Sequence, residues 1–185
     1  MDQYTETDFY EILKSIERTT DMLEKLAHDK LQVRVLKQEN LVDRFLANDP
    51  LAREAPCSIM RESYLYSTKH NLITSHNFAI IYPELLPGTL EDEIYLKGRG
   101  IGEVIRTYEM QSKRMLIQYG FRDPHTLWDI LYQDASLSFP INGLGAVPFK
   151  EYTIQFPGFS SYGIKILEYF NPRVLELGAK AAQPQ

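Results

Sequence analysis

Two ionisable residues stand where apolar side chains belong. In the stretch GIKILEYFNP, Glu168 alternates with Ile164, Ile166 and Phe170, and a strand's period of two places all four on one face. In SIMRESYLY, Arg61 shares a face in the same way with Ile59 and Leu65. A charge in such company is costly unless it is paired, protonated or used. One acid and one base so placed point to a closed pocket for a small anion, or else to a structural ion pair.

Other reactive residue types give weaker signals. The four histidines, His28, His70, His76 and His125, have no metal-ligand spacing to one another or to a cysteine. His76, in LITSHNFAII, shares a strand face with Thr74, Phe78 and Ile80, and by itself reads as a hydrogen-bonded ring at a sheet face. Cys57 is the single cysteine, so no intrachain disulfide can form. Beside Pro56 it reads as a small packed residue rather than a nucleophile. In KGRGIGEVI the glycines at 98, 100 and 102 do not fit G-x-G-x-x-G and no βαβ unit follows, which excludes a dinucleotide loop. A glycine-rich helix entry still exposes backbone N–H groups around Ile101 and Gly102 that can meet a carboxylate, unless it is a plain turn. No G-x-S-x-G, H-E-x-x-H or P-loop is present.

The elements that must position these residues follow from periodicity. Phe9, Ile12, Leu13 and Ile16 mark a helix, with Asp8 and Glu11 placed to cap it. Thr19 and Thr20 read as caps of a second helix carrying Met22, Leu23 and Leu26. Leu31 to Lys37 alternates as a strand, and a polar connection with Asn48-Asp49-Pro50 follows. Ser58 to Tyr66 and Leu72 to Ile81 read as an antiparallel pair turning at Ser67 to Asn71. A helix with Ile101, Val104, Ile105 and Tyr108 begins near Gly100 or Gly102. Lys113 to Tyr119 reads as a strand with Met115, Ile117 and Tyr119 on its apolar face. Asp123-Pro124 predicts a helix to Tyr132 with Leu127, Ile130 and Leu131 inward, then a Gly/Pro loop from Ser136 to Pro148 that reads as a lid. Strands near Tyr152 to Phe156 and Tyr162 to Phe170 complete the pattern.

The expected fold is α+β: one domain over 1–185, with about six mostly antiparallel strands and helices packed on one face. The N-terminal helices occupy 1–30, and 178–185 is expected to be a disordered tail. The 44% hydrophobic and 24% charged content is that of an ordinary globule, and a net charge of −5 without a basic stripe argues against nucleic acid. No apolar run is long enough for a signal peptide or a membrane span, which with the lone cysteine gives a cytoplasmic expectation. The expected partner is a small molecule, and the expected state a monomer or weak homo-oligomer.

The order of these pieces, from about Ile16 to Pro172, resembles the chorismate pyruvate-lyase family, whose fold is shared with the effector-binding domains of certain bacterial transcription regulators. Four segments carry the likeness: TTDMLEKL before VRVL, RESYLY, GIGEVI, and ILEYF before Asn171-Pro172. The resemblance implies that Thr19 and Thr20 line the pocket, that Arg61 binds a substrate carboxylate, and that Ile101 and Gly102 meet the ligand through their backbone. It implies that Glu168 is the acid that transfers a proton. Some lyases carry a second arginine fifteen residues after the first, and here His76 holds that position, where a protonated ring would bind the same substrate anion more weakly. The implied fold is a six-stranded antiparallel sheet with a covered site. The implied reaction splits chorismate into 4-hydroxybenzoate and pyruvate without metal or organic cofactor. Two alternatives stand beside it: a ligand-binding module on the same fold that does not turn its ligand over, and an enzyme acting on a different enol ether or cyclic acid. About thirty residues precede the first strand and they are acidic, which speaks against an attached DNA-binding domain.

Overall fold

The computed structural model describes residues 6–41, 51, 55, 57–96 and 98–181. The alternating segments become six strands: β1 (Leu31–Asn40), β2 (Ile59–Ser67), β3 (Leu72–Ile81), β4 (Lys113–Arg122), β5 (Val147–Gln155) and β6 (Ile164–Phe170). They form one sheet in the order β1-β2-β3-β6-β5-β4, every neighbouring pair antiparallel. Among the described residues five α-helices accompany it: α1 (Glu6–Lys14), α2 (Thr19–Ala27), α3 (Gly88–Glu91), α4 (Ile101–Thr107) and α5 (Val174–Ala181). No helix among the described residues is long and apolar enough to cross a membrane.

Alternation along the strands gives the sheet two apolar faces. On one, Ala79, Ile81, Ile154, Ile164 and Ile166 pack against Leu90 of α3 and Val104 and Ile105 of α4. The same face continues to Leu65 and Phe170, which lie under Phe9 and Leu13 of α1, Leu23 of α2 and Val174 of α5. The opposite face carries Met60, Phe78, Ile80, Phe149, Leu167 and Tyr169. It is covered by Leu127, Ile130 and Phe139 from the connection between β4 and β5. The helices thus sit on one face, as expected.

The helix expected over Asp123 to Tyr132 does not form. Asp123 Oδ1 accepts the His125 N–H at 2.8 Å, and Asp129 Oδ1 accepts those of Leu131 and Gln133 at 2.8 and 3.0 Å. These short side-chain bonds compete with helical ones, and Tyr132 has φ +61°, which no right-handed helix contains. The Ser136–Pro148 loop, expected as a lid, lies with this segment on the face away from Glu168 and buries Phe139 there.

Four smaller corrections concern faces, ends and exposure. Met115, Ile117 and Tyr119 are exposed by 38–52%, because β4 is an edge strand whose inward residues are Arg114 and Leu116, before a bulge between Leu116 and Gln118. Thr19 and Thr20 are the first two residues of α2 rather than its cap, which is Arg18 in extended conformation. α5 runs to Ala181, past the point where a tail was expected, and 182–185 lie outside the described residues, as do Asn48-Asp49-Pro50 and the Asp8 side chain. Cys57 is exposed, not packed.

The turn into β6 allows a direct test of the packing. Gly163 donates to Ile154 O at 3.0 Å and accepts from Tyr82 N at 2.9 Å, holding three segments together. A Cβ on Gly163 would stand 2.4 Å from the Leu85 carbonyl oxygen and 2.6 Å from Leu86 Cδ2. Backbone cannot yield as a side-chain tip can, so Gly163→Ala is expected to cost about 1–3 kcal/mol. Thermal unfolding is expected to fall by about 3–10 °C at this chain length; an unchanged midpoint would show that the turn relaxes freely.

Candidate functional site

The helix-bearing face of the sheet does not close completely. Between it and the start of α2 and α4 lies a cavity of about 240 Å³. Its floor is built by alternation: Arg61, Ser63 and Leu65 from β2, Asn77 and Ala79 from β3, Ile166 and Glu168 from β6, and Tyr152 and Ile154 from β5. Arg114 enters from β4. Residues 18–20 and 100–102 complete the wall, so Thr19, Thr20, Ile101, Gly102, Arg61 and Glu168 come together in one space.

Glu168 is buried, and its Oε2 accepts a hydrogen bond from Thr19 Oγ1 at 2.7 Å. The same oxygen is 4.0 Å from Nζ of Lys150, which is also buried. Lys150 donates to the carbonyls of Ile12 and Ser15 at 3.2 and 3.4 Å, closing off the end of α1. Burial pulls the Lys150 ammonium below its ordinary pKa, against the opposing pull of Glu168. The Tyr152 hydroxyl sits in the same group with Thr19 and Glu168. Burial first, and then the Glu168 charge, push its pKa well up, so it remains a neutral donor.

Arg61 is fully buried and makes no ion pair with Glu168. Its guanidinium donates to three backbone carbonyls, Ile94 O at 3.1 Å, Gly98 O at 3.0 Å and Arg99 O at 2.6 Å. A guanidinium has five N–H donors, so these bonds leave two. With no carboxylate to offset it, desolvation lowers the Arg61 pKa to about 10, which leaves the charge intact at neutral pH. The structural ion pair that the sequence allowed is therefore absent. Arg61 instead ties the segment leading into α4 to the sheet.

His76 is not in the cavity. In the β2–β3 register Arg61 faces Ala79 and Ser63 faces Asn77, so the odd-numbered residues of β3 share the Arg61 face and His76 points to the other. There its Nδ1 accepts the Ser138 N–H at 3.0 Å, which puts the ring proton on Nε2, 3.0 Å from Glu62 Oε1 but out of line for a good hydrogen bond. The cavity-facing residue near the position of the second arginine is Asn77.

Burial lowers the His76 pKa from 6.5 to about 4, so the ring is neutral at neutral pH. The folded state then binds fewer protons here than the unfolded one, and this contribution to stability is lost as pH falls from about 6.5 to about 4. Glu62, whose pKa is raised chiefly by burial, works in the opposite sense. His76→Gln is expected to flatten the fall in unfolding free energy across that window, measured by urea denaturation at several pH values. An unchanged slope would show that His76 does not set it.

Sequence reasoning missed Arg18, Asn77, Arg114, Lys150 and Tyr152. The strand read from the sequence began near Tyr152, so Lys150 fell outside it, and a lone tyrosine at its start did not stand out. Arg114 was hidden by the apolar residues that alternate with it.

By sequence, no family profile and no curated protein matches the chain. By structure, it is similar to PhnF from Mycobacterium smegmatis, with a TM-score of 0.52 and 9% identity over 88% of this chain and 67% of that one. It is also similar to the ligand-binding domain of a GntR-family transcriptional regulator from Bordetella bronchiseptica, with a TM-score of 0.45 and 9% identity over 77% and 85%. A GntR-family regulator from Bacillus cereus gives a TM-score of 0.46 and 7% identity over 77% and 92%. At such identities the likeness is one of fold: a single α+β domain with a six-stranded antiparallel sheet, the chorismate lyase-like architecture.

Proposed function

We propose that the cavity binds a small organic acid of chorismate's size and kind, and that the chain acts on it as a chorismate pyruvate-lyase. One observation carries this: Glu168 and Arg61, an acid and a base not paired with each other, line one cavity together with Thr19, Thr20, Ile101 and Gly102. A volume of about 240 Å³ suits a metabolite rather than a drug-sized ligand.

The chemistry asks little of the protein. Removing the enolpyruvyl group from C3 of the ring and the proton from C4 yields an aromatic product, so positioning and one proton transfer supply most of the help. Glu168 takes the C4 proton as the C3–O bond breaks, and the proton returns to the departing enol, which becomes pyruvate. Thr19 and Tyr152 hold the carboxylate in place, and Tyr152 keeps a neutral hydroxyl beside it. Arg61 offers a substrate carboxylate the two donors that the backbone carbonyls leave.

A second reading is binding without turnover. It is favoured by the engagement of Arg61 with the chain itself, which makes it as much a structural anchor as a clamp. Incubating the purified chain with chorismate and following pyruvate by a coupled assay separates the two. Stoichiometric binding with no pyruvate would leave only the second reading, and no binding at all would sink both.

A further inference from the structure

The cavity carries more positive charge than Arg61 supplies. Five cationic side chains line it, Arg18, Lys30, Arg61, Arg106 and Arg114, against three carboxylates, Glu24, Glu103 and Glu168, an excess of two in a chain whose net charge is −5. The three acids already have partners. Glu168 faces Lys150 at 4.0 Å, Glu103 is held by Arg99 at 2.7 Å, and Glu24 by Lys30 at 2.7 Å.

Arg18, Arg106 and Arg114 remain. Arg18 and Arg106 share Asp21, at 2.8 and 3.6 Å, and Arg106 also lies 3.9 Å from Glu24. Among the described residues Arg114 has no carboxylate within ion-pair distance, and it lines the same cavity as Arg18. The Nε of Arg18 is buried without an acceptor. It lies 3.9 Å from the point where a Cβ on Gly102 would stand, with Thr20 Oγ1 3.6 Å from the same point. An unmet buried donor among like charges is unfavourable in the empty protein, and a bound anion relieves both costs.

We infer that Arg18 and Arg114 form an anion station in this cavity, separate from Arg61, which takes the carboxylate of a small organic acid. The inference rests on the cavity being a ligand site, but not on any reaction taking place there. A charge-assisted contact of this kind is worth about tenfold or more in affinity. The lack of a Cβ at Gly102 keeps the corner beside Arg18 open.

The test is calorimetric titration of the whole chain with benzoate, 4-hydroxybenzoate and chorismate, with benzamide as the uncharged counterpart of benzoate. At least one carboxylate is expected to bind, and benzamide at least tenfold more weakly than benzoate if benzoate is among the binders. Arg114→Gln and Arg18→Gln are each expected to weaken the bound carboxylate about tenfold or more, and Arg114→Lys to recover part of the loss. Arg34→Gln removes the same charge from the exposed side of β1, outside the cavity, and is expected to change nothing. Thermal unfolding of each free variant checks that it is folded. Affinity in Arg114→Gln equal to that in Arg34→Gln, benzamide binding as tightly as benzoate, or no carboxylate binding at all would overturn the station. Carboxylate binding without pyruvate release would sink the lyase reading and leave the station standing. Pyruvate release with an unaltered kcat/KM in Arg114→Gln would do the reverse.

Discussion

Glu168→Gln is expected to reduce pyruvate release from chorismate by about 10²–10⁴-fold, the usual contribution of a positioned proton-transfer group. Glutamine keeps the shape of the side chain and can still accept the Thr19 hydrogen bond of 2.7 Å. It cannot take a proton, so the chemical step fails while the cavity persists. Chorismate affinity is therefore expected to stay within a few-fold of the parent, which makes the loss one of kcat rather than KM. The substitution also removes the carboxylate 4.0 Å from the buried Lys150. A partly uncompensated ammonium costs on the order of 1–3 kcal/mol, so activity must be read below the lowered melting point. A Glu168→Gln protein that releases pyruvate at the parental rate would remove Glu168 from the chemistry.

Arg61→Met is expected to be the most destabilising substitution in the cavity wall. Methionine fills much of the aliphatic volume but donates nothing, leaving the carbonyls of Ile94, Gly98 and Arg99 without their shared partner. Each acceptor left unmet in a buried setting costs about 1–3 kcal/mol, less where water can reach it. A total of about 3 kcal/mol corresponds to a fall of roughly 6–12 °C in the unfolding midpoint at this chain length. Arg61→Lys, a point charge in place of a fork, is expected to lose somewhat less. A pure substrate clamp would behave differently: its removal would abolish binding and leave the midpoint of the free protein where it was. The pair of measurements therefore separates the anchor from the clamp. Loss of activity in an Arg61 variant means little until the melting point is known.

Much of the arrangement is legible in the sequence because strands write their two faces into it. Glu168 among Ile164, Ile166 and Phe170, and Arg61 among Ile59 and Leu65, were placed on apolar faces by alternation alone, and the sheet sets those faces toward one cavity. What alternation cannot supply is pairing. His76 lies fifteen residues after Arg61, and only the register, Arg61 opposite Ala79, reveals that this spacing sends the two side chains to opposite faces. The Asp123–Tyr132 stretch had a helix's apolar spacing and a helix's first two residues. Asp129, however, binds the N–H groups of Leu131 and Gln133 itself, a local competition that spacing does not record. Arg114 was obscured for a third reason. On an edge strand the apolar residues Met115 and Ile117 face outward, so the usual inference from hydrophobicity to burial picks the wrong side.

The position of β6 in the sheet has a consequence for how the chain is made. β6 is the last strand in sequence, yet it lies in the middle, between β3 and β5. As the polypeptide leaves the ribosome, β1, β2 and β3 can pair, and later β4 and β5 can pair, but nothing joins the two groups until residues 164–170 emerge. Until then β3 and β5 each present an open edge, the first including Phe78, Ala79, Ile80 and Ile81. Nascent chains stalled before Ile164 should therefore recruit chaperones or aggregate, and release of β6 should end both at once. The segment that closes the sheet is also the one that delivers Glu168, so this acid enters the cavity wall only as the sheet closes.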